Sequence, residues 1–530
     1  MKKPLHIFLS LLAVWLVISL ACNLPEQTLP ELSAEQLRQT LKAVVHATQQ
    51  AQTPVFGQTA SPQGTQIPQQ STGTPVEPAA VLATPAGLST PGALVTGTPG
   101  MFLYAAQPGD TLPALAGRFG VNAEQIVSAV PLSQGGFLAP GHLLHIPDLL
   151  GDISYPLALL PDSETIASPS TVGFDIEAFV SQAGGYLSGY RDNVKGESLS
   201  GAQVVQRVAL ESSVNPRFLL AVIEFRSHWV LGQPANPRSV DFPIGFSVPG
   251  QTGLYRELVM VATHFEGGYY GWRSGALTEM KFRDGSLARL SPQLNAGSIG
   301  LQVLFSKLYR QEQWQEALYG ESSFSELYVE MFGDPWVRAA TVEPLFPLGL
   351  GQPTMELPFA PGQRWSLTGG PHPSWRTNSP RGALDFAPVT GEPACSVSKV
   401  WALAAAPGLV TRSERNVVTI DLDGDGYEQT GWVILYFHIA DQERIAAGTW
   451  VNTDDQLGHP SCEGGASTGT HLHIARKYNG EWIAADGPLP FVLSGWQCYA
   501  GEKNYQGELR KGDQVAVASP VGPRTSIVVR

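Results

Sequence analysis

Apolar residues recur with different periods in different parts of the chain. Between residues 175 and 331 they recur at helical spacing, which predicts a mainly α-helical segment over 172–345. The segment 355–518 instead contains short apolar runs, such as Trp432–His438, that are typical of strands and are bounded by Gly and Pro. We therefore predict a multidomain chain with a helical middle and an all-β, antiparallel C-terminal domain.

A shorter unit over 101–149 combines both periods. A strand at Phe102–Ala105 leads into a Pro-Gly-Asp turn, where Asp110 or Thr111 can cap a first helix. A second helix follows, and a strand over His142–Ile146 closes the unit. The predicted order of elements is βααβ.

This unit resembles a LysM domain. The motifs are Gln-Pro-Gly-Asp-Thr-Leu at 107–112 and Pro-Gly-x-x-Leu-x-Ile-Pro at 140–147. LysM domains bind the N-acetylglucosamine backbone of peptidoglycan or chitin in a shallow groove, so the resemblance implies a glycan-binding site. The residues that it implies are Gly109, Asp110, Thr111, Leu112, Val130, Pro131 and Leu132.

The N-terminus has the pattern of an export signal. Two lysines precede an apolar run over 5–21, and the run stops at Cys22. Ser-Leu-Ala-Cys at 19–22 resembles a bacterial lipobox, which implies a signal peptide over 1–21 and a membrane-anchored lipoprotein acylated on Cys22. An ordinary cleaved signal or an uncleaved anchor is the alternative. The Pro-, Thr- and Gln-rich composition that follows predicts a linker over 22–100, and similar but shorter breaks occur near 161–170 and 344–361.

One predicted helix of the middle segment carries a candidate acid. The sequence over 210–227 faintly resembles a lysozyme-like transglycosylase, in which a catalytic Glu precedes a Ser. In this chain Arg226 occupies the position of that Glu, and Glu224 lies two residues earlier on a different helical face. We therefore expect no glycan cleavage here and leave the role of 172–345 open between a helical spacer and a glycan-contacting domain.

Five His and Asp residues of the C-terminal segment have spacings that suit a metal site. His471 and His473 stand at i and i+2, so both side chains project from the same face of a strand. His438 ends an apolar run, and His372 precedes Asp385. A structural role rarely requires two imidazoles that converge on one cleft.

This arrangement resembles the zinc peptidoglycan endopeptidases of the lysostaphin and β-lytic type over roughly 357–500, which implies the duplicated hybrid motif fold. The lysostaphin branch has a ligand His four residues before the Asp, where this chain has Arg381. The β-lytic branch has Gly-Gly-x-His thirteen residues before the Asp, as this chain does. That alignment implies one zinc ion bound by His372, Asp385 and His473, with His438 and His471 as catalytic groups.

The implied ligand set accounts for the chemistry. Three protein ligands leave a fourth position of a tetrahedral zinc to water, which is typical of a catalytic site. The metal lowers the pKa of that water from 15.7 to about 7 and polarises the scissile carbonyl. His438 and His471 can orient the water, bind the oxyanion or pass a proton to the leaving amine.

Charge and cysteine content narrow the function further. The 33 basic and 46 acidic residues give a formal charge of −13, so we expect no nucleic-acid partner. In an oxidising exterior a Cys395–Cys462 disulfide would pin the loop that leads to His471, as related enzymes often do. The alternative pair Cys462–Cys498 stays open.

A run of aspartates has two interpretations. Asp421, Asp423 and Asp425 lie in Asp-x-Asp-x-Asp-Gly, which looks like a calcium loop. The twelfth position is Trp432 instead of the Glu of such loops, so a tight hairpin turn is the favoured interpretation.

The leading prediction is an anchored, extracytoplasmic cell-wall hydrolase whose LysM unit binds glycan while its zinc domain cuts peptide crosslinks. The alternative is a catalytically inactive wall-binding or hydrolase-regulating lipoprotein, because some relatives of these endopeptidases have lost their ligands. The presence of all five polar residues favours the enzyme. A weaker third possibility is an enzyme that also cleaves glycan through Glu224.

Overall fold

The computed structural model describes the folded part of the chain. The described residues are 100–132, 135–153, 155–235, 238–522 and 524–530. The predicted signal peptide over 1–21, Cys22 and nearly all of the predicted linker over 22–100 lie outside them. Within the described ranges no helix combines the length and the apolar character needed to cross a membrane.

The N-terminal unit contains one α-helix between two strands. Strand β1 (Met101–Ala105) pairs antiparallel with β2 (Leu143–Pro147), and helix α1 (Leu112–Phe119) lies between them in the chain. The Thr111 side chain accepts a hydrogen bond from the backbone N–H of Ala114. Thr111 is therefore the helix cap of the two candidates.

The prediction of a second α-helix in this unit is wrong. Residues Ala123–Gln125 form one 3₁₀ turn, and the Gln125 side chain accepts from the Asn122 backbone N–H at 2.8 Å. The chain extends immediately afterwards, because Val127 forms an antiparallel β-bridge with His145. The observed order is β–α–3₁₀–β.

The middle of the chain is a helical region with two short hairpins. Its helices are α2 (Ile176–Ala183), α3 (Tyr186–Gly189), α4 (Gly201–Ser212), α5 (Pro216–Ser227), α6 (Arg238–Asp241), α7 (Leu254–Arg273), α8 (Ala296–Leu308), α9 (Gln311–Tyr319), α10 (Phe324–Phe332) and α11 (Pro335–Ala339). The hairpins are β3 (Arg191–Val194) with β4 (Glu197–Ser200), and β5 (Glu279–Lys281) with β6 (Leu287–Arg289). Helices α7 and α8 approach closely, since a Cβ added at Gly268 would lie 2.8 Å from the Cα of Gly300.

The segment 161–170 is buried, so the prediction of a linker there is wrong. Glu164 is fully buried, and its carboxylate accepts hydrogen bonds from Tyr328 at 2.7 Å and from Arg338 at 2.8 Å. These partners come from α10 and α11, which are distant in the sequence. The polar composition of this segment resembles that of a linker, although the fold buries it and supplies partners for the Glu164 carboxylate.

The C-terminal region is an antiparallel β structure, as predicted. Its strands are β7 (Arg364–His372), β8 (Ala383–Pro388), β9 (Ala402–Leu403), β10 (Gly408–Glu414), β11 (Val417–Asp421), β12 (Trp432–Phe437), β13 (Trp450–Val451), β14 (Gln456–Gly458), β15 (Leu472–Tyr478), β16 (Glu481–Trp482), β17 (Val492–Leu493), β18 (Trp496–Ala500), β19 (Gly507–Lys511), β20 (Gln514–Val517) and β21 (Ile527–Val529). The large sheet has the order β13-β10-β11-β12-β15-β8-β7-β21, and β16 pairs with β15. Strands β9 and β14 form a small second sheet, and β17–β20 form a third.

The sheet extends past the predicted end of the domain at residue 518. Strand β21 pairs with β7, and Val528 lies opposite Trp365. Both side chains are buried. The C-terminal residues therefore complete the edge of the large sheet.

The three regions pack against one another. Arg118 of the N-terminal unit donates to the Trp272 carbonyl at 3.0 Å and lies over its ring. The helical region and the large sheet share one hydrophobic core, to which the sheet contributes Ala475 and Trp482. Ser213 donates to the Gly480 carbonyl at 2.6 Å across this interface. The described regions are thus joined by packed interfaces.

Candidate functional site

Three neighbouring strands bring His372, Asp385 and His473 together. Strand β8 lies between β7 and β15, and Asp385 on β8 is the register partner of His473 on β15. Strand β7 passes Asp385 at Gly369 and then shifts register, which carries His372 to the end of the strand. A Cβ at Gly369 would lie 2.6 Å from Asp385 Oδ2, so this glycine leaves room for the carboxylate. All three side chains are buried.

One atom of each residue points to a common centre. His372 Nε2 lies 3.0 Å from His473 Nδ1, and Asp385 Oδ1 lies 3.3 Å from both nitrogens. The other ring nitrogens contact backbone carbonyls, His372 Nδ1 that of Gly370 at 2.9 Å and His473 Nε2 that of Ser374 at 3.0 Å. These nitrogens must donate, so each neutral imidazole directs a lone pair at the centre.

This donor set fits a zinc ion. Asp385 Oδ1 is buried and accepts no hydrogen bond among the described residues. Three lone-pair atoms at such distances repel one another unless a cation lies between them. Zinc bonds of about 2.0–2.1 Å place neighbouring corners of a tetrahedron roughly 3.3 Å apart, which is close to the spacing in this cluster.

His438 and His471 lie beside the cluster with matching ring orientations. His438 follows β12 with φ 64°, and its Nδ1 contacts the Glu463 carbonyl at 2.8 Å. His471 Nδ1 contacts the Gly469 carbonyl at 2.8 Å, and its Nε2 lies 3.8 Å from Asp385 Oδ1. The two ring centroids are 4.4 Å apart. Because Nδ1 donates in both rings, Nε2 is the atom that can exchange a proton.

Burial and charge set the protonation of the cluster. Burial lowers the pKa of His473, and burial together with the neighbouring His471 lowers the pKa of His438 to about 4. Burial alone would raise the pKa of Asp385, but the adjacent imidazoles of His372 and His473 outweigh it and hold that pKa well below its usual value. An ionised carboxylate and neutral imidazoles are the forms that metal binding requires.

The cluster opens into a cleft of about 900 Å³ with walls from two regions. The helical region contributes Lys195, Glu211 and Tyr255 to its lining. Arg376, in the loop after β7, donates to the Glu211 carboxylate at 2.7 Å. The same loop supplies the Ser374 carbonyl that orients His473, so the helical region supports the cluster through this loop.

Sequence reasoning missed the cleft residue Tyr505 and assigned no role to Arg381, which supports it. The Tyr505 ring stacks on His372 with centroids 4.3 Å apart. Arg381, predicted only not to be a ligand, donates to the carbonyls of Gly501 and Lys503 at 2.9 and 2.7 Å. It therefore fixes the loop that carries Tyr505. No local pattern marks this tyrosine, because only the fold brings its loop to β7.

A disulfide joins Cys395 and Cys462. Cys498 is a buried free thiol. The bonded cysteines connect two loops beside the cleft, and the Thr470 hydroxyl donates to the Ser396 carbonyl at 2.6 Å between the same loops. These contacts restrain the segment that ends at His471.

The residues predicted to bind glycan fall into two groups. Leu112, Val130, Pro131 and Leu132 line a groove of the N-terminal unit. Val130 is 59% exposed, whereas Leu112 is mostly buried beneath the groove. Val130, Pro131 and Leu132 therefore form an accessible apolar surface, whereas Leu112 lies beneath it.

The second group is Gly109, Asp110 and Thr111. Two of these residues are buried, and the third caps a helix. Asp110 is 1% exposed, and its carboxylate pairs with Arg118 at 2.6 Å and accepts from the Tyr104 hydroxyl at 2.7 Å. Gly109 is buried against Arg273 of the helical region, and Thr111 caps α1. The expectation that Gly109 and Asp110 face a sugar is therefore wrong, because both stabilise the unit and its packing.

Glu224 has a structural environment. It is 5% exposed, and its carboxylate accepts from the backbone N–H groups of Val230 and Leu231 at 2.8 and 2.9 Å. Arg226 donates to the Ile244 carbonyl at 2.8 Å. Glu224 thus anchors the turn after α5, and these contacts do not resemble those of a glycosidase acid.

Comparisons with known proteins relate the chain to bacterial proteases. Residues 158–345 match the family model described as LasA, N-terminal domain. The chain is 25% identical over 385 residues to Protease LasA of Pseudomonas aeruginosa, which covers 69% of this chain and 84% of that protein. It is 27% identical over 159 residues to the beta-lytic metalloendopeptidase of Achromobacter lyticus, covering 28% of this chain and 39% of that protein.

Two solved peptidase structures match part of this chain. The deep-sea M23 metalloprotease pseudoalterin matches with 23% identity and a TM-score of 0.27, over 32% of this chain and 96% of its own. The catalytic domain of lysostaphin from Staphylococcus simulans matches with 17% identity and a TM-score of 0.17, over 23% of this chain and 89% of its own.

Proposed function

We propose that this chain is a zinc-dependent endopeptidase that cleaves the peptide crosslinks of bacterial peptidoglycan outside the cytoplasmic membrane. The observation that carries the proposal is the convergence of His372 Nε2, Asp385 Oδ1 and His473 Nδ1 at 3.0–3.3 Å in an open cleft. Similarity to Protease LasA and to a beta-lytic metalloendopeptidase supports the reaction class.

In the proposed mechanism His372, Asp385 and His473 hold the metal. A zinc ion bound there supplies the Lewis acidity that activates water and polarises the scissile carbonyl. His438 and His471 line the cleft, and in both rings Nδ1 donates to a backbone carbonyl, so Nε2 is the atom that exchanges a proton. One of them accepts the proton of the attacking water, and the resulting imidazolium stabilises the oxyanion or protonates the leaving amine.

The experiment measures zinc content and bond cleavage in the same preparation. Purified protein is supplied with zinc, its metal content is determined, and it is incubated with insoluble peptidoglycan. We expect one zinc ion per chain and new amino termini without new reducing ends, because the peptide and not the glycan is cut. A chain that binds no zinc and releases no amines would contradict the proposal and favour the inactive, regulatory alternative.

We also propose that the groove lined by Val130 and Leu132 binds the glycan strand. The support is the exposed apolar lining and the LysM-like motifs on either side of it. The substitution Val130→Asp in the full chain is expected to reduce sedimentation with peptidoglycan whose stem peptides have been removed. Val521→Asp, at an exposed valine outside the groove, is the control. Equal sedimentation of both variants would refute the glycan role.

The proposed anchor is a lipid on Cys22. Acylation requires this thiol, and two or more chains hold a protein stably at a membrane. Cys22→Ala should shift the protein from the membrane fraction to the soluble fraction or leave it as an unprocessed precursor. A wild-type protein that incorporates no labelled fatty acid would refute lipidation.

A further inference from the structure

The hairpin between β11 and β12 carries a second cluster of carboxylates, away from the cleft. Asp421, Asp423 and Asp425 each place a carboxylate oxygen within 4.8 Å of the others. They occupy alternate positions at the end of β11 and in the loop that follows. An acidic cluster at a surface turn is common without any ion, so this spacing alone assigns nothing.

Asp421 differs from an ordinary surface aspartate. Its side chain is fully buried, and Oδ2 accepts from the Gly426 backbone N–H at 2.8 Å. Oδ1 is buried too and accepts no hydrogen bond from any described residue. A buried carboxylate oxygen without a donor is costly. The nearest charged side chains in the sequence are those of Asp423 and Asp425. Both carry the same negative charge as Asp421, so they increase the free-energy cost of burying its carboxylate.

Nearby cationic side chains are paired elsewhere. Glu428, the remaining acid of the loop, binds Arg412 with contacts of 2.8 and 3.0 Å and also contacts Lys477 at 3.4 Å. Glu428 therefore pairs with these two residues of the large sheet, and it leaves neither of them to pair with the three aspartates. No salt bridge to Asp421, Asp423 or Asp425 forms among the described residues.

From these observations we propose that Asp421, Asp423 and Asp425 form a structural calcium site at the tip of the β11–β12 hairpin. Calcium prefers carboxylate and carbonyl oxygens in flexible loops, with ligands at positions 1, 3, 5 and 7 and a glycine at position 6. Counted from Asp421, the sixth residue is Gly426, with φ 89°, and the seventh is Tyr427, whose carbonyl supplies a further oxygen. A side chain at Gly431 would collide with Asp423.

The site acts on stability and not on the reaction. The loop lies at the start of β12, and His438 follows the other end of that strand. A strand of six residues separates the two by roughly 20 Å, so the cation does not contact the cleft. Bound calcium offsets two of the three negative charges and fixes the hairpin between the two central strands that it joins.

The test measures the thermal stability of the full chain with one equivalent of zinc present throughout. Calcium at 1 mM should raise the Tm of the wild type by about 3 °C or more, and the same concentration of magnesium should raise it less. Asp423→Asn should remove most of the calcium response while keeping one zinc per chain. Asp513→Asn, at an exposed hairpin aspartate of the same region, should leave the response unchanged.

Terbium should show luminescence sensitised by Tyr427 or Trp450, which Asp423→Asn abolishes.

The outcomes separate this site from the zinc centre. A wild type without a calcium response, an equal response in Asp423→Asn, or an equal response to magnesium would overturn the calcium assignment. Without calcium, Asp423→Asn should be at least as stable as the wild type, because it removes a repelling charge. A Tm that lies below that of the wild type by the same amount with and without calcium would mean that Asp423 serves only the turn.

Discussion

The large sheet carries two clusters of potential metal ligands that differ in how they are built. His372, Asp385 and His473 come from three adjacent strands, are all buried and combine nitrogen with oxygen donors. Asp421 and its two neighbours come from a single hairpin, offer only oxygen, and two of the three are exposed. The first donor set suits zinc and the second suits calcium.

The difference between the clusters lies in how far each depends on the fold. The hairpin cluster is assembled by residues that are already neighbours in the sequence, so its geometry needs little beyond one turn. The cleft cluster needs the register of β7, β8 and β15, the Ser374 carbonyl and, through Arg376, the helical region. We expect variants of the cleft to affect function far more than variants of the hairpin.

The largest expected effect separates the two clusters. His372→Ala, Asp385→Ala and His473→Ala should each lose most of the bound zinc and reduce hydrolysis by at least about a thousandfold, because two ligands hold zinc poorly. Asp423→Asn should keep zinc and hydrolysis near wild type. The measurement is zinc stoichiometry beside the release of amino termini. Full zinc occupancy in His372→Ala would contradict the ligand assignment.

The next effect tests the division of roles within the cleft. His438→Ala and His471→Ala should retain zinc while turnover falls by about a hundredfold, the size expected for removing a proton-transfer or oxyanion group. His228→Ala, at an exposed histidine of the helical region, is the control. Loss of zinc in either cleft variant would make that histidine a ligand instead.

The sequence predicted the cleft cluster better than it predicted its surroundings. The thirteen-residue spacing before Asp385 and the His-x-His of β15 are local signals, and the structure brings these residues together. The role of Arg381 and the position of Tyr505 depend on a distant loop, so no local pattern marked them. The burial of Glu164 and Asp110 likewise depends on partners that only the fold supplies.

Comparison with a known calcium-loop motif was least informative for the hairpin between β11 and β12. The absence of Glu at the twelfth position favoured a simple turn, because that rule was taken from one class of calcium loop. Burial of the Asp421 side chain and its unpartnered oxygen were not visible in the sequence, since β11 appears there only as a short apolar run. The structure supplied the observation that changes the interpretation.

A third carboxyl without a hydrogen-bond partner extends the comparison, because among the described residues it belongs to no group of potential metal ligands. Glu266 on α7 is 1% exposed, and neither of its oxygens has a partner among the described residues. Burial raises its pKa to about 8, although Arg376 and Lys477 lower it in part. We therefore expect a proton and not a metal to neutralise this group near pH 7.

The pH dependence of unfolding tests this expectation. The Glu266 carboxyl ionises above about pH 4.5 in the unfolded chain but only near pH 8 in the folded chain. Its contribution to the free energy of unfolding is therefore fully present below pH 4.5. That contribution falls as the pH rises to about 8, because ionisation favours the unfolded state in this window. The loss is at most about 1.4 kcal/mol per pH unit in this window. Glu266→Gln should flatten denaturant-measured stability between pH 5 and 8, while Glu177→Gln at an exposed site should not. Parallel profiles of wild type and Glu266→Gln would show that Glu266 does not titrate there.

The smallest expected effect concerns Arg381, which the lysostaphin-type alignment would place at a ligand position. The guanidinium is no metal ligand, and its contacts are to the Gly501 and Lys503 carbonyls of the Tyr505 loop. Arg381→Ala should therefore keep one zinc per chain and reduce hydrolysis by about tenfold or less, because Tyr505 loses its support over His372. Arg510→Ala removes an exposed arginine of the neighbouring β19 and should change neither quantity. If Arg381→Ala lost zinc, the Tyr505 loop would be part of what closes the metal centre; if its activity matched Arg510→Ala, the loop would have no part in positioning the cleft.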